Sequence, residues 1–213
     1  MPQAVKGSQA ALQRLVEQSP ELLQPRQLSQ LEWVSPRRED DWSEYRDGAA
    51  LDKLGLARHA EALTEFWPRG GPVWDGLAKT GDKVVLVEAK SHIREFLSPP
   101  SAATAPRSIA QIETALRTVK SNLGADDRSN WARVFFQYAN RLAFLWWLRG
   151  RGVDAYCLFV SFLGDLEMGG PDHAESWQAA FLAADHALGL PARHALTPCI
   201  LHVHPRLNHL ENP

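Results

Sequence analysis

Cysteine is scarce in this sequence of 213 residues: there are two, Cys157 and Cys199. Two thiols cannot staple a disulfide scaffold, and their separation is not that of a zinc-binding cysteine pair, so both are expected as buried thiols in a reducing compartment. Basic excess is lacking as well. Lysine and arginine number 23 against 25 acidic residues, for a net charge of -2. No global positive field draws a polyanion to the surface, and any such partner must be held by a local patch or a metal ion. Long apolar runs are also missing. The most apolar segment, Leu142 to Leu148 between two arginines, is far short of the roughly 20 residues needed to span a bilayer. The opening MPQAVKGSQAALQRLVEQ lacks the apolar core of a signal peptide. Together these absences point to a cytoplasmic protein with no membrane partner.

What is present is the balance of a folded chain, 45% hydrophobic and 23% charged. The length suits one core rather than two. Residues 1–40 are polar, with helical patterns at Ala10–Val16 and Glu21–Leu31 punctuated by prolines; they read as an N-terminal helical extension to a single domain over 41–213. A helix is expected from Asp41 to about Leu54 and a second helical stretch to Phe66. Two strands follow, Val73–Ala78 and Val84–Ala89, and 98–107 is a loop by composition. Ser108 is a natural N-cap with Gln111 as its reciprocal partner, opening a helix whose apolar stripe is Ile109, Ile112, Leu116 and Val119. A long helix is predicted over Ser129–Arg149, a buried strand over Ala155–Leu163, a helix over Trp177–Leu188 and a last strand over Pro198–His204. The fold class is α/β, a small mixed central sheet flanked by helices.

The chemistry concentrates in Val73-Trp-Asp75-Gly-Leu-Ala-Lys-Thr-Gly81-Asp82-Lys-Val-Val-Leu-Val-Glu88-Ala89-Lys90. Gly81-Asp82 suits a two-residue hairpin turn, because glycine accepts the positive φ such turns demand. That turn pairs Thr80 with Lys83, Lys79 with Val84, Leu77 with Leu86, and Asp75 with Glu88. Facing residues share one side of the sheet, with Cβ atoms about 5 Å apart, and Lys90 joins them by the two-residue alternation of a strand. Two carboxylates so close repel, and one stays protonated unless a cation separates them. A hard divalent ion, Mg2+ or Mn2+, suits oxygen ligands, and a neighbouring ammonium stabilises charge that builds on a phosphate. The alternative, solvated charges on an open sheet face, sits poorly with Glu88 ending the apolar run Val84–Val87.

An aspartate followed a dozen residues later by Glu-x-Lys at the end of an apolar strand resembles the PD-(D/E)XK nuclease superfamily, and the element order over roughly 41–165 is similar to its restriction-endonuclease-like core. The resemblance implies a metal-dependent nuclease. Asp75 and Glu88 would bind the metal together with the main-chain carbonyl of Ala89, and Lys90 would assist the attacking water. It also implies a further acid from the helix before the hairpin, Glu44 first and Glu61 second.

On the long helix, Arg133, Gln137, Asn140 and Arg141 fall on one polar stripe. Gln137 is a candidate to orient the attacking water, and Arg141, Asn140 and Lys120, with Arg117 behind them, to contact substrate phosphate. The alternative for all of these is a wet helix face. His202 and His204 share a strand face as a conceivable zinc pair without a third ligand. Tryptophans such as Trp67 and Trp146 fit core packing better than base stacking. The expectation is a Mg2+- or Mn2+-dependent hydrolase of phosphodiester bonds in DNA, or second in RNA, with a homodimer allowed. The rivals are a catalytically silent nuclease-fold protein that binds nucleic acid or protein, and a hydrolase of small phosphoesters.

Overall fold

The computed structural model describes residues 3–126 and 128–207. Its centre is a five-stranded mixed sheet whose strands lie in chain order: β1 (Glu32–Ser35), β2 (Gly76–Thr80), β3 (Lys83–Lys90), β4 (Ala155–Ser161) and β5 (Ile200–Val203). β1 pairs antiparallel with β2 and β2 antiparallel with β3, whereas β3, β4 and β5 run parallel to one another. Parallel neighbours require long crossovers. The first consists of the short α4 (Ile93–Phe96), then α5 (Pro106–Asn122) and α6 (Phe136–Arg149); the second is α7 (Ala174–Ala187).

Strand alternation sorts the two faces. Leu77, Val84, Leu86, Cys157 and Phe159 pack into the larger core with α5, α6 and α7. Ala78, Val85, Val87, Ala89, Leu158 and Val160 point the other way, where Leu12, Leu15 and Val16 of α1 (Gly7–Gln18) cover them. The central strand β3 is therefore buried on both sides. This is why Val84–Val87 reads as an unbroken apolar run, and why Glu88 and Lys90, in phase with Val84 and Leu86, face the α6 side.

The hairpin forms as its turn demanded. Gly81 adopts φ +57, and the register runs Thr80 to Lys83, Lys79 to Val84, Leu77 to Leu86 and Gly76 to Val87. Gly76 is needed for a different reason: a Cβ there would lie 3.0 Å from the Trp33 ring and 3.1 Å from the Ser35 carbonyl oxygen, so only glycine lets β1 approach.

Several boundaries differ from the sequence reading. Glu21–Leu31 is not a helix; after a 3-10 turn at Pro20–Leu23 the chain is irregular, its carbonyls tied down by Gln24, whose amide donates to Pro25, Leu28 and Ser29. The segment before residue 41 also supplies β1 to the sheet. The helix expected from Asp41 begins only at Asp47, as α2 (Asp47–Lys53), because Asp41, Trp42 and Asp47 take positive φ and Tyr45 pairs with Trp74 in a β-bridge. The stretch to Phe66 contains α3 (Ala60–Phe66). Helix α5 starts at Pro106, a residue suited to the first helical turn, so Ser108 is not its cap; Gln111 instead donates to the Thr64 and Glu65 carbonyls at the end of α3. Helix α6 starts at Phe136, after a left-handed Phe135.

Cys157 and Cys199 are free and buried. Six of the eight tryptophans are buried in the two cores and Trp42 is buried outside them; Trp146 is only half-buried, against Phe66. No helix among the described residues is long and apolar enough to cross a membrane.

Candidate metal centre

The hairpin register, carried one residue past Gly76 and Val87, sets Asp75 opposite Glu88. The main chain confirms the approach: the N–H of Ala89 donates to Asp75 Oδ2 at 2.7 Å. On its other side Asp75 lies one residue from the antiparallel bridge between Tyr45 and Trp74, and that register, also carried one residue, sets Glu44 opposite Asp75. By these registers Glu44, Asp75 and Glu88 make an acidic row in which the Glu88 charge reaches both of the others, with Glu44 in an irregular segment rather than a helix. Glu61, the second choice, is an exposed residue of α3.

Glu88 is 2% exposed and engages a cation through each oxygen. Lys90 donates to Oε1. Arg141, from α6, reaches Oε2 with Nε at 2.6 Å and Nη2 at 2.5 Å. Burial alone would push the Glu88 carboxyl up, but the Arg141 and Lys90 charges more than reverse this and hold it below its ordinary value. Burial would likewise lower Lys90, and the Glu88 and Asp75 charges raise it instead. Both groups are therefore ionised.

Among the described residues no cation is ion-paired to Asp75. Burial, and then the neighbouring Glu88 charge, push its carboxyl up to about 7. Glu44 is also raised, first by burial and further by Glu88, with a 2.7 Å hydrogen bond from the Gln9 side chain opposing. Two carboxylates whose ionisation is suppressed beside a third that is charged make a site with an unmet demand for positive charge. The donor set is all oxygen, the chemistry preferred by Mg2+ and Mn2+. Among the described residues no three His, Cys, Asp or Glu side chains already converge as a cation cage; Glu88 is turned to its two cations.

The polar stripe of the long helix is not a wet face. Asn140 and Arg141 are 5% and 2% exposed. Arg141 is no free phosphate contact, because its remaining donors point inward: Nη2 to the Val73 carbonyl at 2.8 Å and Nη1 to Asn140 Oδ1 at 2.9 Å, with the guanidinium 4.5 Å from the Trp74 ring centroid. Its burial had a legible signal: Arg141 stands three residues after Tyr138 and four before Leu145, on the apolar stripe itself. Gln137, one turn earlier on the same face, is half-buried, its backbone N–H held by Ser98 Oγ at 2.9 Å. Arg133 is exposed and precedes the helix. Lys120 donates to the Ser129 carbonyl at 3.1 Å and lines a cavity with Arg117 and Arg128 that excludes Asp75, Glu88 and Lys90. His92 lies 3.5 Å from Glu95.

A cavity of about 940 Å³ opens beside β5, lined by His202, His204, Phe181, Asp185 and Arg206 among others and not by the acidic row. The His202 ring packs on Phe159 and Phe181, and the two imidazole centroids are 6.4 Å apart. Comparison of the chain with protein-family models, with curated proteins and with solved structures finds no match. What is established is an α/β protein with a mixed five-stranded sheet and a buried acid–lysine–arginine cluster at the C-terminal ends of its parallel strands.

Proposed function

We propose that this chain is a divalent-cation-dependent phosphodiesterase of nuclease type, acting on DNA and second on RNA, with a restriction-endonuclease-like core of the PD-(D/E)XK kind. The observation that carries the reading is Asp75: a carboxyl raised to about 7 between Glu44 and Glu88, within the field of the Lys90 ammonium. An acid kept partly protonated by burial and then by an adjacent carboxylate gains most from a cation. Its place also fits the rule that open α/β sheets work at the carboxyl ends of their strands.

Asp75, Glu44 and Oε1 of Glu88, with the Ala89 carbonyl, would hold Mg2+ or Mn2+. When bound, such an ion supplies a Lewis acid for the attacking water and the phosphate. Lys90, now on Oε1, would supply its ammonium to the charge developing on the phosphate. Arg141 stays on Oε2 and keeps Glu88 oriented. Gln137, half-buried on the same helical stripe, would orient water or substrate.

The test is cleavage of plasmid DNA, single-stranded DNA, RNA and nucleotides with and without Mg2+, by the wild type, Asp75→Ala and Lys90→Ala. Mg2+-dependent cleavage of a polynucleotide that both substitutions abolish, with circular dichroism unchanged, supports the reading. Full activity in Asp75→Ala removes it.

One observation favours the silent alternative, a nuclease fold that only binds: both Glu88 oxygens are already neutralised from within the protein. Calorimetric titration with Mg2+ or Mn2+ separates the two, since a pure binder requires no ion at millimolar or lower concentration.

A further inference from the structure

The two cations on Glu88 differ in freedom. Arg141 is 2% exposed and is held at once by Glu88, the Val73 carbonyl, Asn140 and the face of Trp74. Moving it breaks every one of these bonds. Lys90 reaches Glu88 from the rim on a flexible stem, with 11% of its side chain exposed, and a single contact ties it to Oε1. Of the two, Lys90 is thus the one an incoming cation would displace, which would free Oε1 and leave Oε2 with Arg141.

We propose that Arg141 is a positioning residue that takes the place of a second metal ion, so that the cluster accommodates one divalent cation and not two. This rests on the phosphodiesterase reading above and refines it. Two arguments carry it. A pair of ions about 4 Å apart is clamped by shared oxygen ligands, and Oε2 of Glu88 is not free to bridge. Charge gives the same answer. With Asp75, Glu88 and Glu44 all ionised, three negative charges face the two positive charges of Lys90 and Arg141, leaving one negative charge over. One dication turns that balance to a single positive charge, the complement of one phosphodiester. A second would leave three positive charges, uncompensated, around a carboxylate that is 2% exposed.

The experiment is titration calorimetry with Mn2+ at pH 8 on the full chain, comparing the wild type, Arg141→Met and Arg141→Lys, with steady-state cleavage alongside. The wild type binds one ion. Arg141→Met, which removes a neighbouring positive charge and releases Oε2, binds a second ion or holds the first at least about tenfold more tightly, while cleaving more slowly. A purely structural Arg141 would move affinity the other way. Arg141→Lys keeps the charge but loses the fork: it binds one ion with near-wild-type affinity, and kcat falls while KM for DNA stays put. It carries the test if the Met variant does not fold. A wild type that binds two ions overturns the proposal and leaves the phosphodiesterase reading standing. So does an Arg141→Met that binds one ion no more tightly than wild type, or an Arg141→Lys whose KM alone rises. A wild type that binds no Mn2+ defeats both.

Discussion

Glu88 and His202 lie in the same row of the sheet, one strand apart from each other across Phe159: Glu88 pairs with Phe159 and Phe159 with His202. Both face the same side, and both sit near the carboxyl ends of parallel strands. Their surroundings are opposite. On central β3 the charged side chain is sealed in, and each oxygen has a cation; on edge β5 the imidazole rests on Phe159 and Phe181 with its outer side in solvent. The lesson is that strand position, more than residue type, decides whether a polar group must be matched. A central strand cannot leave a charge to water, so Glu88 has Arg141 and Lys90, and their presence shapes what the cluster does. An edge strand makes no such demand, and His202 and His204 have no acidic third partner in metal-binding reach among the described residues.

This contrast is breakable by measurement. Its largest consequence is in stability. Glu88→Ala strands two buried cations and is expected to destabilise by about 3–5 kcal/mol, the range for breaking a buried pair, whereas His204→Ala on the edge strand shifts stability by less than about 1 kcal/mol. Denaturant unfolding of the two variants checks this, and similar losses would erase the distinction.

The next effect belongs to Asp75 and has a definite pH signature. Its carboxyl is raised to about 7 in the folded chain, against roughly 3.9 when unfolded. The folded state therefore holds a proton that the unfolded state has given up. Stability is greatest below about pH 4 on this account, falls as pH rises toward 7, and stays reduced above it. Asp75→Asn removes that loss. The variant should match the wild type near pH 4 and exceed it at pH 8.5 by on the order of 2 kcal/mol; a variant less stable than wild type at pH 8.5 shows that Asp75 is not held against its ionisation.

A comparable but smaller effect separates β1 from the rest of the hairpin: Gly76→Ala should destabilise by about 1–3 kcal/mol through overpacking against Trp33 and the Ser35 carbonyl. In function, Glu44→Gln should lower Mg2+-dependent cleavage at least about tenfold while Glu61→Gln leaves it unchanged, because only Glu44 stands opposite Asp75. Equal activities would remove Glu44 from the row.

The hairpin and its register from Thr80–Lys83 through Leu77–Leu86 were legible in the sequence because they depend on local rules: a glycine turn, two-residue alternation and an apolar run. So was the α/β class, from the alternation of strands and helical stripes. What escaped was decided by distant contacts. Glu44 looked helical from its neighbours, but the next residue, Tyr45, bridges to Trp74 far along the chain and the segment is not helical. Arg141 looked like a surface residue from its charge, although its phase on the helix matched Tyr138 and Leu145. The start of α5 was misplaced because Ser108 offered a cap that Pro106, two residues earlier, made unnecessary. Composition was a poor guide in one respect: the even charge balance gave no hint that two cations and three acids would gather in one place.

The most direct test is where a divalent ion goes. Crystals soaked in Mn2+ and measured at its absorption edge should show one anomalous peak, within coordination distance of Asp75 and Glu88, with the Lys90 ammonium moved off Oε1. A peak at His202 and His204 instead, with the acidic row empty at saturating Mn2+, would contradict the account.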